Sequence, residues 1–427
     1  EGAMSWPVII LIMLCLFALN MRLYIAIFAS VLVYFVFFSP VPDQIAVQRL
    51  IGASQNLSLL AIPFFILLGT LMDHTGVAKR LLRVADLLVG KFTGGMALTN
   101  IMLSTLLGGV SASNLADSAM LTRMLVPEME RKGYNRAFAA AVTASGALVT
   151  PIIPPGIALI IYGLVADVSI GALFMAGILP GIVMAAMLMV AAYIVSKRNG
   201  YPPSRDSWPT TSETTSALVG AWPVLVLLVA IIGGIRANIF TPTEAGAVAV
   251  LIVLVIGFVI YREMRVAHVV DALVGTFKAT SSVMLVIMAC SALAWILSLE
   301  QAAQQLATYI TALTDNKYVF LLILNLLLLF LGMLIEGNAI LIVMVPLLMP
   351  TVHQLGIDPI HFGIVVIVNL AVGCLTPPVG TVMLLVCNLA KVKISDFMRQ
   401  STLLFVALFV ALMIVTFVPE LSLVLAR

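Results

Sequence analysis

The chain has 427 residues, of which 62% are hydrophobic and only 10% charged. A soluble domain carries roughly 25% charged residues, and one of this length cannot hide so much apolar surface, so a soluble globular protein is excluded. The formal net charge of +3 says little about partners, and no nucleic acid partner is expected.

Apolar blocks occupy 6–19, 23–38, 57–72, 171–195, 217–235 and 403–418. Blocks of about 17–25 residues match a bilayer core, and flanking residues complete the shorter ones. Helices must span it, because lipid offers backbone polar groups no partner. Basic residues favour the cytoplasmic side and set the path. With the N-terminus outside, the chain enters over 6–19, turns at Arg22, leaves by Phe38 and re-enters over 57–72. The next loop holds an amphipathic stretch, 77–89, with Lys79, Arg80 and Arg83, and then Lys91. Segment 95–127 is too long and too interrupted for one span and reads as a re-entrant hairpin, followed on the same side by Arg131, Lys132 and Arg136. A broken helix over 137–167 crosses outward, and 171–195 returns to Lys197, Arg198 and Arg205. The polar stretch 197–217, rich in Pro, Ser and Thr, reads as a cytoplasmic linker.

The second half begins with scaffold helices over 218–262, matching scaffold helices 6–39 of the first. Amphipathic stretches at 46–56 and 267–279 lie at the membrane surface. A span over 281–299, a second hairpin over 318–351 and a second broken helix over 361–390 follow. The last span ends outside at Arg427. This path puts 18 of the 22 basic residues inside and only Arg49, Arg236, Lys317 and Arg427 outside.

Three landmarks repeat at a shift near 223 residues. AVQRLIGASQNLSLLAIP (46–63) matches VVDALVGTFKATSSVMLV (269–286), GGVSASNLADSAM (108–120) matches GMLIEGNAILIVM (332–344), and GALVTPIIPPG (146–156) matches GCLTPPVG (373–380). Each half makes an odd number of crossings, so repeats 4–196 and 218–427 are inverted. The expected fold is an all-α integral membrane protein of about ten crossings, with two re-entrant helical hairpins and two inverted-topology repeats with broken helices. This is the pattern of secondary transporters, whose site lies near the midplane at the repeat interface.

Two kinds of break carry the chemistry. The first is the hairpin tip: Ser111, Ser113 and Asn114 after Gly108-Gly109, and Gly332 to Gly337-Asn338 in the repeat. A helix starting at Asn114 or Asn338 would present free N–H groups to an anion. Hydroxyl and amide oxygens, with nearby carbonyls, suit a hard cation such as sodium. The second is the proline stretch, Thr150-Pro151-Ile152-Ile153-Pro154-Pro155-Gly156 and Thr376-Pro377-Pro378-Val379-Gly380. Proline removes donors and breaks the helix, which would free carbonyls of Ser145, Gly146, Val149 and Thr150, and of Gly373, Leu375 and Thr376. Such backbone survives at membrane depth only when buried or lining a cavity.

Two sodium sites are expected. One joins the first tip (Ser111, Ser113, Asn114) to the second break (Gly373, Thr376, Val379). The other joins the second tip (Gly337, Asn338, with Gly332) to the first break (Ser145, Gly146, Val149, Thr150). The anion would sit between the tips, against Ser113, Asn114, Asn338 and the prolines Pro154, Pro155, Pro377 and Pro378. Bound cations would offset its charge, since no Lys or Arg lies in these stretches. Asp117 and Glu336 flank the tips, and intramembrane acids are functional by default; a charge relay and a helix-capping role both remain open. No other cofactor is expected.

With these residues in hand, the chain resembles the large membrane subunit of tripartite ATP-independent periplasmic (TRAP) transporters over nearly its whole length. AIPFFILLGTLMDHTGVAKRL (61–81), GGVSASNLADSAM (108–120), IPPGIALIIYG (153–163), VSIGALFMAGILPG (168–181) and TPTEAGAVAV (241–250) carry the resemblance. It implies a bacterial inner-membrane protein, so that the two termini placed outside by the basic residues are periplasmic, with sodium-driven import and an elevator motion. It also implies a small four-helix membrane subunit, a periplasmic substrate-binding protein, and organic-acid substrates such as C4-dicarboxylates, sialic acid, keto acids or sulfonates. The first tip departs from the family pattern in reading Ser111-Ala112-Ser113-Asn114, and the second in Glu336-Gly337-Asn338.

The competing reading is a stand-alone anion symporter needing no binding protein. An intramembrane enzyme would need a nucleophile–base pair or a metal set, and no His or Cys lies beside the tips in the sequence, so no enzyme activity is expected. A channel is disfavoured by two symmetric, closed-looking sites.

Overall fold

The computed structural model describes residues 6–427 apart from 20, 40, 41, 43, 110–112, 238 and 315. Every regular element among them is helical. Among the described residues seven helices are long and apolar enough to cross a membrane, or eight if the bent pair Val47–Ser54 and Leu57–Met72, which meet at 53°, is one span.

The breaks fall where proline and glycine place them. The first hairpin is Gly95–Gly108 and Asn114–Arg131, and the second is Lys317–Leu334 and Gly337–Gln354. Each is followed by a broken helix: Arg136–Ala147 with Ile157–Val165, and Pro359–Gly373 with Thr381–Ala390. The Pro154-Pro155 and Pro377-Pro378 peptide bonds are both cis. Element starts recur in order, Gln44 with Val266, Gly95 with Lys317, Asn114 with Gly337, Arg136 with Pro359, Ile157 with Thr381 and Ile170 with Ile394, at offsets of 222 to 224.

The second half departs from expectation in its long helix. Instead of a surface stretch over 267–279 and a separate span over 281–299, a single helix runs Val266–Leu299. The first half breaks there because the Asn56 side chain accepts from the Ser58 N–H and opens a short 3₁₀ turn, Leu57–Leu60. The second half has neither Asn nor Pro between 266 and 299, so nothing interrupts its ladder.

The scaffold consists of Trp6–Ala18, Leu23–Phe37, Ala61–Met72, Thr211–Arg236, Pro242–Val255 and Val266–Leu299, each packed on others of the set. Leu11, Leu32, Val36, Phe37, Val219 and Val229 stay exposed on it, as helices solvated by lipid require. The broken helices are buried at the centre. In Arg136–Ala147, residues 137 to 147 are all buried and mostly Ala, Gly, Ser and Thr. Lipid gives helices no hydrophobic drive to associate, so small residues that allow close approach supply the contact.

Polar side chains add to it. Asn325 Nδ2 donates to Thr416 Oγ1 at 3.0 Å, and Asn369 Nδ2 donates to Asn325 O and Oδ1 at 2.9 and 2.8 Å. These bonds tie the second hairpin to the second broken helix and to the last span, Ile394–Phe417. Interhelical hydrogen bonds in a membrane average about 0.6 kcal/mol and reach about 1.7. Thr416→Val should therefore lower stability by about 1 kcal/mol, read as a shifted unfolding midpoint in detergent.

The linker is docked rather than loose. Tyr134 Oη donates to Pro202 O at 2.8 Å, Ser204 N donates to Gly90 O at 2.8 Å, and Arg205 pairs with Glu213 at 2.8 Å. Tyr201 stacks on Tyr134 and Phe138.

Candidate functional site

The first tip builds its helix start as expected. The chain turns helical at Asn114, Ser113 O accepts from Asp117 N at 3.1 Å, and Ser113 Oγ accepts from Ala116 N at 3.4 Å. Ser111 lies outside the described residues. Asp117, 1% exposed, is in the first turn, and its Oδ2 accepts a 2.7 Å bond from Thr150 Oγ1 on the first break. The carboxylate therefore ties the tip to the break.

The second tip starts its helix at Gly337, one residue before the expected Asn338, with Glu336 as the residue preceding the helix. Glu336 O accepts from Ala339 N and Ile340 N, and its side chain makes no cap. Asn338 Nδ2 reaches Glu336 Oε1 at 3.4 Å. The preceding arm meets the second break directly. Gly332 and Gly373 are so close that a Cβ on Gly373 would stand 2.9 Å from Gly332 Cα. Val379 N and Gly380 N both donate to Met333 O at 3.3 Å, and Thr376 Oγ1 donates to Val372 O at 2.9 Å.

These contacts correct the expected pairing. Among the described residues, the bonds and closest approaches of the predicted site residues join each tip to the break of its own half, not of the other. Gly146 lies against Ser104 and Ile101 of the first hairpin, as Gly373 lies against Gly332 of the second. The reason is the chain path: hairpin and broken helix are consecutive, joined by turns at 132–135 and 355–358, and small residues on both let them close together. What crosses between halves is the far arm of each broken helix. Thr381–Ala390 packs on Asn114–Arg131, and Ile157–Val165 packs on Gly337–Gln354.

The freed carbonyls are also fewer than expected. Ser145 O, Gly146 O, Val149 O and Gly373 O each accept a turn hydrogen bond, from Leu148, Val149, Ile152 with Ile153, and Thr376. No backbone N–H among the described residues bonds the carbonyls of Thr150, Leu375 or Thr376. Ser145 Oγ is buried with no hydrogen-bond partner. A buried, unsatisfied hydroxyl calls for an explanation, and a hard cation with oxygen ligands fits that donor set.

The two tips share a crevice of about 90 Å³, walled by Ser113, Asn114, Pro151, Glu336, Asn338 and Thr381. It adjoins a cavity of about 400 Å³ that shares Ser113, Glu336 and Asn338 and reaches the scaffold at Phe65, Thr70 and Asp73. Ser282 and Val286 of the long helix complete that wall. Pro154, Pro155, Pro377 and Pro378 line neither space; Pro154 and Pro155 are buried behind it. Pro151 and Thr381 take the expected place. Asp73, Thr70 and Ser282 line this cavity and are not among the residues singled out from the sequence. Asp73 ends the block 57–72, and that position is the one signal that pointed to it.

Beyond Asp73, the His74 and His268 imidazoles stack at 4.7 Å. Burial first and the neighbouring His268 second hold His74 below the usual histidine range, with Asp271 opposing.

A family model described as the DctM component of the tripartite ATP-independent periplasmic transporters matches residues 8–421. The chain is 40% identical over 382 residues to the sialic acid TRAP transporter large permease protein of Vibrio cholerae, covering 89% of this chain and 88% of that protein. It is 36% identical over 378 residues to the 2,3-diketo-L-gulonate TRAP transporter large permease protein of Escherichia coli, covering 88% of each. The fold is similar to the crystal structure of the YdaH transporter of Alcanivorax borkumensis, with a TM-score of 0.61 at 15% identity, covering 89% of this chain and 90% of that one.

Proposed function

The chain belongs to the DctM family of tripartite ATP-independent periplasmic transporters, and from that membership we propose that it is the substrate-translocating subunit of a sodium-coupled importer of an organic anion. It is a membrane transporter subunit and not an enzyme. The observation that carries the reading is the convergence of two helix N-termini, at Asn114 and Gly337, on one crevice that adjoins the 400 Å³ cavity. Helix N-termini favour anions through free N–H groups and the helix dipole. A carboxylate or sulfonate would lie there, with Ser113, Asn114 and Asn338 at hand. The relatives named for sialic acid and 2,3-diketo-L-gulonate support an organic acid as substrate.

Sodium, when bound, supplies positive charge that offsets the anion. Ser113 and Asn114 of the first tip with Ser145, Gly146, Val149 and Thr150 would hold one ion. Gly332, Gly337 and Asn338 with Gly373, Thr376 and Val379 would hold the other. Ser145 Oγ, buried without a partner, supports the first. Asp117 keeps the first tip on its break.

In this reading the chain crosses the bacterial inner membrane about ten times as two inverted repeats with both termini periplasmic. Hairpins and broken helices move as one body against the scaffold. A small four-helix membrane subunit completes the membrane part, and a periplasmic binding protein delivers the substrate. Proteoliposomes holding this chain with that small subunit test the reading, with labelled sialic acid, 2,3-diketo-L-gulonate and a C4-dicarboxylate as probes. Uptake is expected to require both an inward sodium gradient and the binding protein. Sodium-driven uptake without the binding protein would instead mark a stand-alone symporter, and uptake on a proton gradient alone would remove the sodium sites.

A further inference from the structure

A second cavity, larger than the first at about 780 Å³, lies at the other end of the same scaffold helices. Leu59, near the start of the Leu57–Met72 segment, lines it, whereas Asp73, just past that segment, lines the 400 Å³ cavity. At about 1.5 Å per residue these positions are roughly 20 Å apart along the axis. The long helix repeats the arrangement: Ser282 and Val286 face the smaller cavity, and Ser291 and Trp295 the larger. Ile161 and Ile342 belong to both walls, so the two spaces are in series with this apolar pair between them.

Their charges differ in sign. Among the described residues the smaller cavity is lined by Asp73 and Glu336 and by no Lys or Arg. Among the described residues the larger is lined by Arg49 and by no Asp or Glu, with Gln48, Asn56 and Ser291 as further polar groups. The Arg49 guanidinium sits over the Trp295 ring, 5.5 Å from its centroid. Among the described residues no carboxylate forms an ion pair with it. Arginine offers a planar fork that binds carboxylate and sulfonate oxygens, and stacking on an aromatic ring fixes that fork in place.

We propose that this cavity is a receiving site for the anionic group of the substrate, held by Arg49 over Trp295 before the substrate passes Ile161 and Ile342 to the tips. The proposal rests on the transport reading for its purpose, but the site itself is testable without transport. Asp73 is followed closely by the basic stretch Lys79 to Arg83. The positive-inside rule therefore puts Arg49 at the periplasmic end, where an anion arrives. An anion moving from Arg49 to the tips exchanges fixed positive charge for helix N-termini and bound cations. That exchange keeps Arg49 from trapping it.

The test uses charged thiol reagents on the full chain in detergent, in a background with Cys15, Cys290, Cys374 and Cys387 replaced. Ser291→Cys places a thiol in the cavity. A sulfonate-bearing methanethiosulfonate is expected to label it roughly tenfold faster than a trimethylammonium one, each rate normalised to a free thiol, because one fixed charge at cavity distance biases ion concentration by about that factor. Arg49→Gln should abolish the preference and Arg49→Lys should retain it. Equal labelling with Arg49 present, or no labelling by either reagent, would overturn the site. In proteoliposomes, Arg49→Gln is expected to raise KM roughly tenfold with little change in maximal rate. A KM that does not move would overturn the receiving role. Retained labelling preference in a protein whose uptake ignores sodium and the binding protein would instead overturn the transport reading and leave the anion site standing.

Discussion

Replacing Asp117 with alanine should cut sodium-driven uptake by roughly ten- to a hundredfold while leaving the protein folded. The side chain is 1% exposed, in the first turn of Asn114–Arg131, and bonded at 2.7 Å to Thr150. A hydrogen bond to a charged group contributes about 1.5–3 kcal/mol, and each 1.4 kcal/mol is a factor of ten. The loss falls on transport more than on folding because the bond joins the two halves of one proposed cation site, the tip and the break. Asp117→Asn separates position from charge. Its amide oxygen still accepts from Thr150, so uptake near the wild-type rate would make Asp117 a positioning residue. An Asn variant as inactive as the Ala variant would make the negative charge itself part of cation binding. Thr150→Val removes the same bond from the other side, and the double variant should cost little more than either alone, since the two act as a unit. Folded Asp117→Ala protein transporting at half the normal rate would sink the argument.

Much of the fold was legible because breaks are written in residue chemistry. Pro154-Pro155 and Pro377-Pro378 cannot continue a helix, and the chain stops at Ala147 and Gly373 and resumes at Ile157 and Thr381. Ser113 before Asn114 is a preferred cap, and the helix begins where that cap puts it. Contacts between elements were less legible. The repeat shows which segments are equivalent, not which are adjacent, so the tips were assigned to the opposite breaks when Gly332 lies on Gly373 and Asp117 on Thr150. The scaffold wall of the cavity was missed for a related reason. Thr70 is a single hydroxyl in an apolar block and Ser282 ends the short run Thr280-Ser281-Ser282, and small polar residues are common in membrane helices for packing alone. Only the folded arrangement puts them beside Glu336 and Asn338.

The Gly332–Gly373 contact supports the other large effect. At this point two backbones touch: a Cβ on Gly373 would lie 2.9 Å from Gly332 Cα and 3.1 Å from its carbonyl carbon. Neither neighbour is the end of a flexible side chain that can swing away. One residue further on, Met333 O accepts from Val379 N and Gly380 N, so separating the two segments also strains those bonds. Overpacking a tight core costs typically 1–3 kcal/mol, and here it falls on the proposed second cation site. Gly373→Ala is expected to reduce uptake roughly tenfold and raise the sodium concentration for half-maximal rate. Gly373→Val should abolish uptake in protein that still reaches the membrane. Gly275 is the control, since a Cβ there meets nothing within 4 Å, and Gly275→Ala within the Val266–Leu299 helix should leave uptake unchanged and stability the same or slightly higher. If Gly373→Val transports with normal sodium dependence, the second tip and break need not be held together, and the second cation site has to be sought elsewhere. If it loses uptake while the first-site variant Thr150→Val keeps a normal sodium dependence, coupling rests on the second half alone.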